Sequence, residues 1–591
     1  MIFSSIISTK KFAIFAAIIQ LINSLNNKFM FKGHPRGLYV AFFANMGERF
    51  GFYTMMAILV LFLQAKFGLT GAKAGVIYSV FYASIYALAL VGGLVADRIV
   101  GLKKTIAFGI ITMAIGYFLI AIPTASTTAG LIQACAGLFV IAFGNGMFKG
   151  NLQAVVGNLY EDPRYQSKRD SAFSIFYMGI NIGALFAPTV AISLKKYVLG
   201  LSGFLDKAEF PSLCWNVKNG VEGSAEKLSE IASQAYIGGI LPANFNVLTF
   251  ADSYIQAFST GYNYAFGFAA LMMFVSLIVY FAFNKLLKPG FSVMQLQDKN
   301  GDPVRVIEMP KAEIKERLTA LFLVFAVVIF FWMSFHQNGL TLTFFARDYT
   351  QRIVGSGTFF WFDLWTLLPM FGASLSLYVL LRRKSTGINR VLGAAGTIIL
   401  GYLTYYKIST MPADNLFSPE LFQHLNPFFI VALTPVAVAM FSWLNTKGKE
   451  PSSPRKIGIG MIFAATGFLV MAVGSLGLPS QSSLTGNPVP NDLLVSPYLL
   501  ISTYFVLTIA ELFLSPMGIS FVSKVAPPKY KGTMQGGWLA ATAIGNQLLF
   551  IGAIFYGKLE IWQLWSFFII CCILSALFMF SMLKRLEKVT S

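Results

Sequence analysis

Fourteen apolar stretches, each long enough to cross a bilayer as a helix, leave this chain almost no choice of fold. They fall near residues 38–64, 74–96, 104–123, 129–152, 171–194, 255–284, 318–345, 357–381, 388–407, 428–445, 457–477, 497–522, 533–556 and 561–583. A helical crossing needs about 20 residues. The strands of a barrel would instead alternate polar and apolar positions over about ten residues, and these segments do not. The 591 residues are 56% hydrophobic and 12% charged, with a mean hydropathy of +0.67, which excludes a water-soluble surface. An all-α integral membrane protein is expected.

A net charge of +20 would ordinarily raise nucleic acid as a partner. Here the cations sit in short clusters in every second loop, so they report topology and argue against a nucleic-acid face. Arg98, Lys103 and Lys104; Arg164, Lys168 and Arg169; Arg382, Arg383 and Lys384; Lys447, Lys449, Arg455 and Lys456; Lys524, Lys529 and Lys531; and Lys584, Arg585 and Lys588 all fall on one side. That side is expected to be cytoplasmic and to hold both termini. Residues 1–29 read as an extension or a surface helix, because the apolar run Phe12 to Ile22 is too short to span and Met30 offers a second start. Residues 30–284 read as one bundle of six crossings and 285–317 as a cytoplasmic linker, with Lys311 to Arg317 a candidate surface helix. Residues 318–583 read as a second bundle carrying an inserted hairpin at 357–407, and 584–591 as a tail. The loop from Tyr197 to Asp252 has no readable fold. Three of four cysteines lie in apolar segments and only Cys214 in a polar loop, so neither a disulfide framework nor a metal site is indicated.

Ionisable groups inside such segments cost roughly 2.5 to 3.5 kcal/mol each on insertion scales, so they persist where they face a polar cavity with partners. The first span carries Asn45, Glu48 and Arg49 on a helical stripe with Phe52, and Tyr53 follows one turn above Arg49. A self-contained Glu48–Arg49 pair that only locks packing is the alternative reading. Lys149 follows Gly144-Asn145-Gly146, whose small residues permit close helix approach, although near a span end it could simply snorkel. Tyr177 and Asn181 form a polar edge one turn apart, suited equally to ligand contact and to holding helices together. His336 is a potential proton carrier or a packing residue. Glu511, with Ser515 one turn on and Pro516 and Gly518 loosening the helix, has the chemistry of a carboxyl that binds and releases protons. No phosphate-cradling loop, histidine pair at metal spacing or activated nucleophile competes with a transport reading, and neither an enzyme nor a cofactor other than the proton gradient is expected.

These motifs resemble the proton-dependent oligopeptide transporters, a branch of the major facilitator superfamily. Glu48, Arg49, Phe50 and Tyr53 match the family's E-x-x-E-R-F-x-Y-Y signature, and Phe176 and Tyr177 through Asn181 match F-Y-x-x-I-N. Glu511-Leu512 through Ser515-Pro516 matches E-L-x-x-S-P on the family's tenth helix. Gly93 to Arg98, then Gly101, Lys103 and Lys104, is similar to the superfamily's loop between helices two and three. The resemblance implies two six-helix bundles with a site between them at the bilayer midplane. It implies that Glu48 and Arg49 couple protons to substrate, that Arg49 and Lys149 attract a peptide carboxylate, and that Glu511 and Asn181 hold the amino end and backbone. Tyr53, Tyr86, Tyr177, Asn426, Ser515 and Trp538 would line the pocket.

Three departures stand out. Asn45 replaces the signature's first glutamate, His336 stands where the seventh helix usually carries an acid that pairs with the lysine at 149, and the extra hairpin lies between helices seven and eight. The hairpin is expected to flank the second bundle outside the pathway, with Asp363 its only acid. The overall expectation is a monomeric importer of di- and tripeptides in the inner membrane, driven by protons. The same architecture carrying nitrate, or a sensor that binds peptide without moving it, are the alternatives.

Overall fold

The computed structural model describes residues 33–590 except 161, 166–167, 288–308, 383–384, 485–487 and 528–529. The extension at 1–29 and most of the linker therefore lie outside the described residues. Among the described residues, fourteen helices are long and apolar enough to cross a membrane. The first six crossings are α1 (Gly37–Phe67), α2 (Gly71–Val95), α3 (Leu102–Ala121), α4 (Thr128–Leu159), α5 (Arg169–Leu201) and, after two short helices α6 (Phe210–Lys218) and α7 (Ser224–Ile231), α8 (Val247–Phe283). The rest are α9 (Lys311–Phe335) with α10 (Thr341–Asp348), α11 (Leu364–Leu381), α12 (Gly387–Ser409), α13 (Leu425–Thr446), α14 (Ser453–Gly474), α15 (Tyr498–Val525), α16 (Lys531–Gln547) with α17 (Leu549–Tyr556), and α18 (Ile561–Ser581), followed by the short α19 (Leu583–Thr590). They form the two six-helix bundles of the major facilitator fold with an added hairpin.

Helix α1 is the axis of the first bundle, buried along most of its length and packed on α5 and α8. It stops at Gly68, whose left-handed backbone (φ 62°) returns an N–H to the Gln64 carbonyl. The small residues around Lys149 do permit close approach. A Cβ added at Gly92 of α2 would lie 2.1 Å from the Gly146 carbonyl of α4, and one at Gly144 would lie 2.7 Å from the Gly109 carbonyl of α3.

The seventh crossing departs from its expected continuous form. Residues His336–Gly339 are a 3₁₀ turn between α9 and α10, where Asn338 and Gly339 are weak helix formers. Beside it the α16–α17 crossing breaks at Leu548, and Gln337 Nε2 donates to the carbonyl of Leu549 (3.2 Å), so one break satisfies the other. Lys311 to Arg317, expected as a surface helix of the linker, are instead the first turns of α9, tied by an i,i+4 Glu313–Arg317 pair. A charged first two turns and an apolar remainder share one helical period, which a reading by composition divides.

The inserted hairpin α11–α12 packs chiefly on itself, and along α12 Gly393 is the buried residue among the described ones. A two-residue antiparallel ladder, β1 (Ile353–Val354) with β2 (Asn415–Leu416), and the stacked rings of Phe362 and Phe417 close its base. The insertion thereby leaves the bundle intact.

The unread loop folds into a strap. Phe204, Phe210, Leu213, Val217 and Leu228 pack with Phe250 and Tyr254 at the head of α8, and Tyr254 Oη donates to the carbonyls of Leu205 and Lys207. Cys214 lies inside this core, where burial pushes its thiol up to about 12. Trp215 covers Gly68 and donates its indole N–H to the Ala65 carbonyl (2.8 Å), fastening the strap to α1.

Candidate functional site

Adjacent residues on a helix leave it in different directions, yet the side chains of Glu48 and Arg49 turn toward each other. Arg49 Nε and Nη2 donate to the two Glu48 oxygens at 2.5 and 2.6 Å, a bidentate pair with both side chains buried. Glu48 points into the first bundle, where Asn145 Nδ2 of α4 donates to its Oε1 (2.6 Å). Arg49 lies over the Phe52 ring at 4.6 Å and within electrostatic reach of Tyr53, Tyr86 and Lys149. Asn45, in place of the signature's first glutamate, donates to the Phe176 carbonyl of α5 (3.4 Å), a neutral link where an acid would add charge.

Lys149 Nζ sits 4.4 Å from the centroid of Tyr86, a cation–π contact, and among the described residues no carboxylate pairs with it. Tyr177 is packed deep in the molecule yet 45% exposed, so its ring projects into internal open space. Asn181, one turn on, donates to the Tyr177 carbonyl (3.1 Å). Close packing of α5 on α1 sets this edge, since a Cβ at Gly183 would lie 2.7 Å from the Met46 carbonyl.

The second bundle supplies the opposite wall. Glu511 of α15 accepts from Asn426 Nδ2 of α13 (2.9 Å), and Asn426 also donates to Thr508 Oγ1 (3.1 Å). From there the carboxyl is within electrostatic reach of Tyr53, Tyr82, Tyr86 and Tyr177 on the first bundle. Ser515, one turn on, has no hydrogen-bond partner among the described residues. Trp538 is 5% exposed and stacked so closely on Gly518 that an added Cβ there would meet its ring at 1.8 Å; it packs α16 on α15 more than it lines open space.

His336 does not meet Lys149 as a second cation. It sits between the rings of Tyr82 (4.5 Å) and Trp332 (4.6 Å), with Nε2 3.0 Å from the Tyr82 hydroxyl and Nδ1 2.5 Å from Asn546 Oδ1. A neutral ring that donates from Nδ1 to Asn546 and accepts the Tyr82 proton at Nε2 satisfies both ring nitrogens, and it ties the bundles together. Tyr82, Asn145, Thr508 and Asn546 are hydrogen-bond partners of the candidate residues that motif reading passed over. Tyr78, Tyr82 and Tyr86 recur every four residues on α2, a helical stripe that could have marked Tyr82. For the other three the sequence carried no comparable signal.

Tyr53, Tyr86 and Tyr177 of the first bundle thus lie within electrostatic reach of Glu511 on the second. A family model described as POT family matches residues 103–289 and 409–556, more than half of the chain. The chain belongs to the POT family. The POT relatives and neighbours include the peptide transporter YePEPT of Yersinia enterocolitica, 28% identical over 87% of each chain. Dipeptide and tripeptide permease B of Xenorhabdus bovienii is 25% identical over 87% of this chain and 86% of its own length. The uncharacterised transporter YclF of Bacillus subtilis is 28% identical over 90% of each. In fold, the chain is similar to a crystal structure of a POT family transporter in complex with a thioalcohol-conjugated peptide (TM-score 0.64, 21% identity, 95% of this chain and 98% of that one). It is likewise similar to a mutant of the peptide transporter POT (TM-score 0.62, 23% identity, 97% and 99%).

Proposed function

We propose that this POT family protein is a proton-coupled symporter that imports di- and tripeptides across the inner membrane by alternating access, acting as a monomer with both termini in the cytoplasm. The observation that carries the reading is the pairing of walls through Tyr86, which lies under Lys149 and within electrostatic reach of Arg49 on its own bundle and of Glu511, held by Asn426, on the other. A zwitterionic peptide presents a carboxylate and an ammonium a few ångströms apart, and only walls of opposite sign satisfy both in a desolvated site. Tyr53, Tyr86 and Tyr177 offer apolar faces with polar tips to side chains of any kind. Names of the relatives, peptide transporter and dipeptide and tripeptide permease, support the same cargo.

Coupling follows from the geometry of the first wall. Arg49 spends its guanidinium on Glu48 in the empty state. A proton on Glu48 removes the charge that holds Arg49 and releases it to the peptide carboxylate, so proton and peptide favour the same state. Each charge moved inward gains about 2.3 kcal/mol per 100 mV of membrane potential. No cofactor is required beyond that gradient. Labelled dialanine taken up by proteoliposomes is expected to rise with an inward proton gradient and to collapse with an uncoupler. Peptides of varied side chain are expected to compete, and nitrate is not. Uptake indifferent to the gradient would overturn the coupling, and competition by nitrate alone would overturn the cargo.

A further inference from the structure

At the strap end of the molecule a second group of buried charges crosses between the bundles, far along α5 from Tyr177 and Asn181. Lys195 of α5 is wholly buried. Its Nζ lies 2.9 Å from Glu420 Oε1, in the 3₁₀ turn Pro419–His424 that leads into α13, and 3.0 Å from Asp206 Oδ1 of the strap. The ammonium also faces the rings of Phe258 (4.8 Å) and Tyr262 (5.1 Å). Tyr262 Oη donates to Glu420 Oε1 (2.8 Å), and Ser418 Oγ donates to Asp206 Oδ2 (2.5 Å). Beside them Lys196 donates to the Leu416 carbonyl, and Arg352 pairs with Glu209 of the strap. The contacts Lys195–Glu420, Tyr262–Glu420, Asp206–Ser418, Lys196–Leu416 and Glu209–Arg352 join α5, α8 or the strap to the second bundle, while Lys195–Asp206 and the two ring contacts stay within the first half.

The division of charge between the halves is the informative point. Lys195, Lys196, Asp206 and Glu209 belong to the first bundle and its strap, while Arg352 and Glu420 belong to the second. Each half is neutral by itself, so parting the halves exchanges partners without stranding a net charge. The second half even holds spare capacity for that exchange: Glu420 Oε2 and Arg352 Nη1 have no hydrogen-bond partner among the described residues, and the two groups interact electrostatically.

We propose that Lys195, Asp206 and Glu420, together with Glu209 and Arg352, form a reversible latch that keeps the strap end shut while the substrate chamber faces the other side. The strap, Gly203 to Asn246, is the arm of the first bundle that reaches across, anchored to α1 by Trp215. On opening, Lys195 keeps Asp206 and Glu420 turns to Arg352. The latch rests on the alternating-access reading, but it is read without any cargo.

The test places spin labels at Glu222→Cys on the strap and Asp414→Cys on the second bundle, both exposed, after replacing the four native cysteines with alanine. The distance distribution is then measured in nanodiscs without substrate. Wild-type charges are expected to give a dominant short distance. Lys195→Met leaves two carboxylates facing each other across the interface and is expected to lose the short population in favour of a long one. The double variant Lys195→Glu with Glu420→Lys keeps one cation between two carboxylates and is expected to regain the short distance. If Lys195→Met does not fold, Arg352→Gln, which removes the strap's second crossing, is expected to shift weight to the long distance. A distribution unmoved by Lys195→Met, or by Arg352→Gln in its stead, overturns the latch. So does a double variant as open as the single one. Peptide uptake measured on the same proteins reports separately on the cargo, so loss of one reading leaves the other standing.

Discussion

Replacing Glu48 with glutamine removes the charge from the bidentate pair while keeping its volume, and the structure sets opposite expectations for binding and for driven uptake. In the empty wild type, two charge-assisted hydrogen bonds of 2.5 and 2.6 Å tie Arg49 to Glu48. A peptide carboxylate must compete with them, and hydrogen bonds to charged groups are each worth about 1.5 to 3 kcal/mol net. Freeing Arg49 from one such bond's worth of competition is expected to tighten dialanine binding roughly ten- to hundredfold, at 1.4 kcal/mol per factor of ten. The empty variant also carries a buried guanidinium with no counter-charge, a loss of about 3 to 5 kcal/mol when one partner of a buried pair is removed. Peptide should therefore raise its melting temperature by more than it raises that of the wild type. Because glutamine takes up no proton in the pathway, gradient-driven uptake should vanish while counterflow exchange persists in part. Calorimetric titration, ligand-dependent thermal shift and the two transport modes in proteoliposomes measure all four quantities. Unchanged affinity together with unchanged driven uptake would show that the pair merely locks the helix, and the coupling argument would fall.

His336→Glu places an acid beside the chamber where the family usually has one. It should shift the pH profile of uptake, and an unaltered profile and rate would show that this position does not face the pathway. Tyr82→Phe removes one hydrogen bond between the bundles and should lower stability by about 0.5 to 1.5 kcal/mol, read as a fall in melting temperature. Gly518→Ala drives a Cβ to within 1.8 Å of the Trp538 ring and should destabilise by about 1 to 3 kcal/mol, relieved in part by a companion Trp538→Leu. Cys214, with its thiol near 12, holds almost no thiolate at pH 8 and should resist maleimide until denaturant releases the strap, so prompt labelling of the native protein at that residue would contradict its burial. Exchanging Leu368–Tyr405 for a short Gly-Ser linker should leave uptake intact, because α11 and α12 pack mainly on each other.

Periodicity and motif spacing made the crossings and both walls of the site legible, because each depends on residues within a few turns of one another. Glu48 and Arg49, Tyr177 and Asn181, and Glu511 and Ser515 are local patterns of this kind. What the sequence hid is the identity of partners. Asn145 completes Glu48 from 97 positions away, Tyr82 meets His336 across 254 and Lys195 reaches Glu420 across 225. Charged residues at helix ends read most naturally as topology, so Lys195, Glu420 and the strap acids were indistinguishable from solvated loop charges until folding buried them. The breaks at His336 and Leu548 were hidden for a related reason: hydropathy measures whether a segment can cross a bilayer, and an unwound turn crosses as well as a helix when a neighbour such as Gln337 meets its free carbonyl. The two departures in the motif, Asn45 and His336, are explained by those same distant partners. Each replaces an acid with a group that is satisfied as a neutral donor or acceptor, Asn45 at the Phe176 carbonyl and His336 between Tyr82 and Asn546. Glu48, turned into the first bundle against Arg49 and Asn145, and Glu511, held by Asn426, are left as the carboxyls of the site, and among the described residues neither pairs with Lys149, the group that the proposed function assigns to the carboxylate of a substrate.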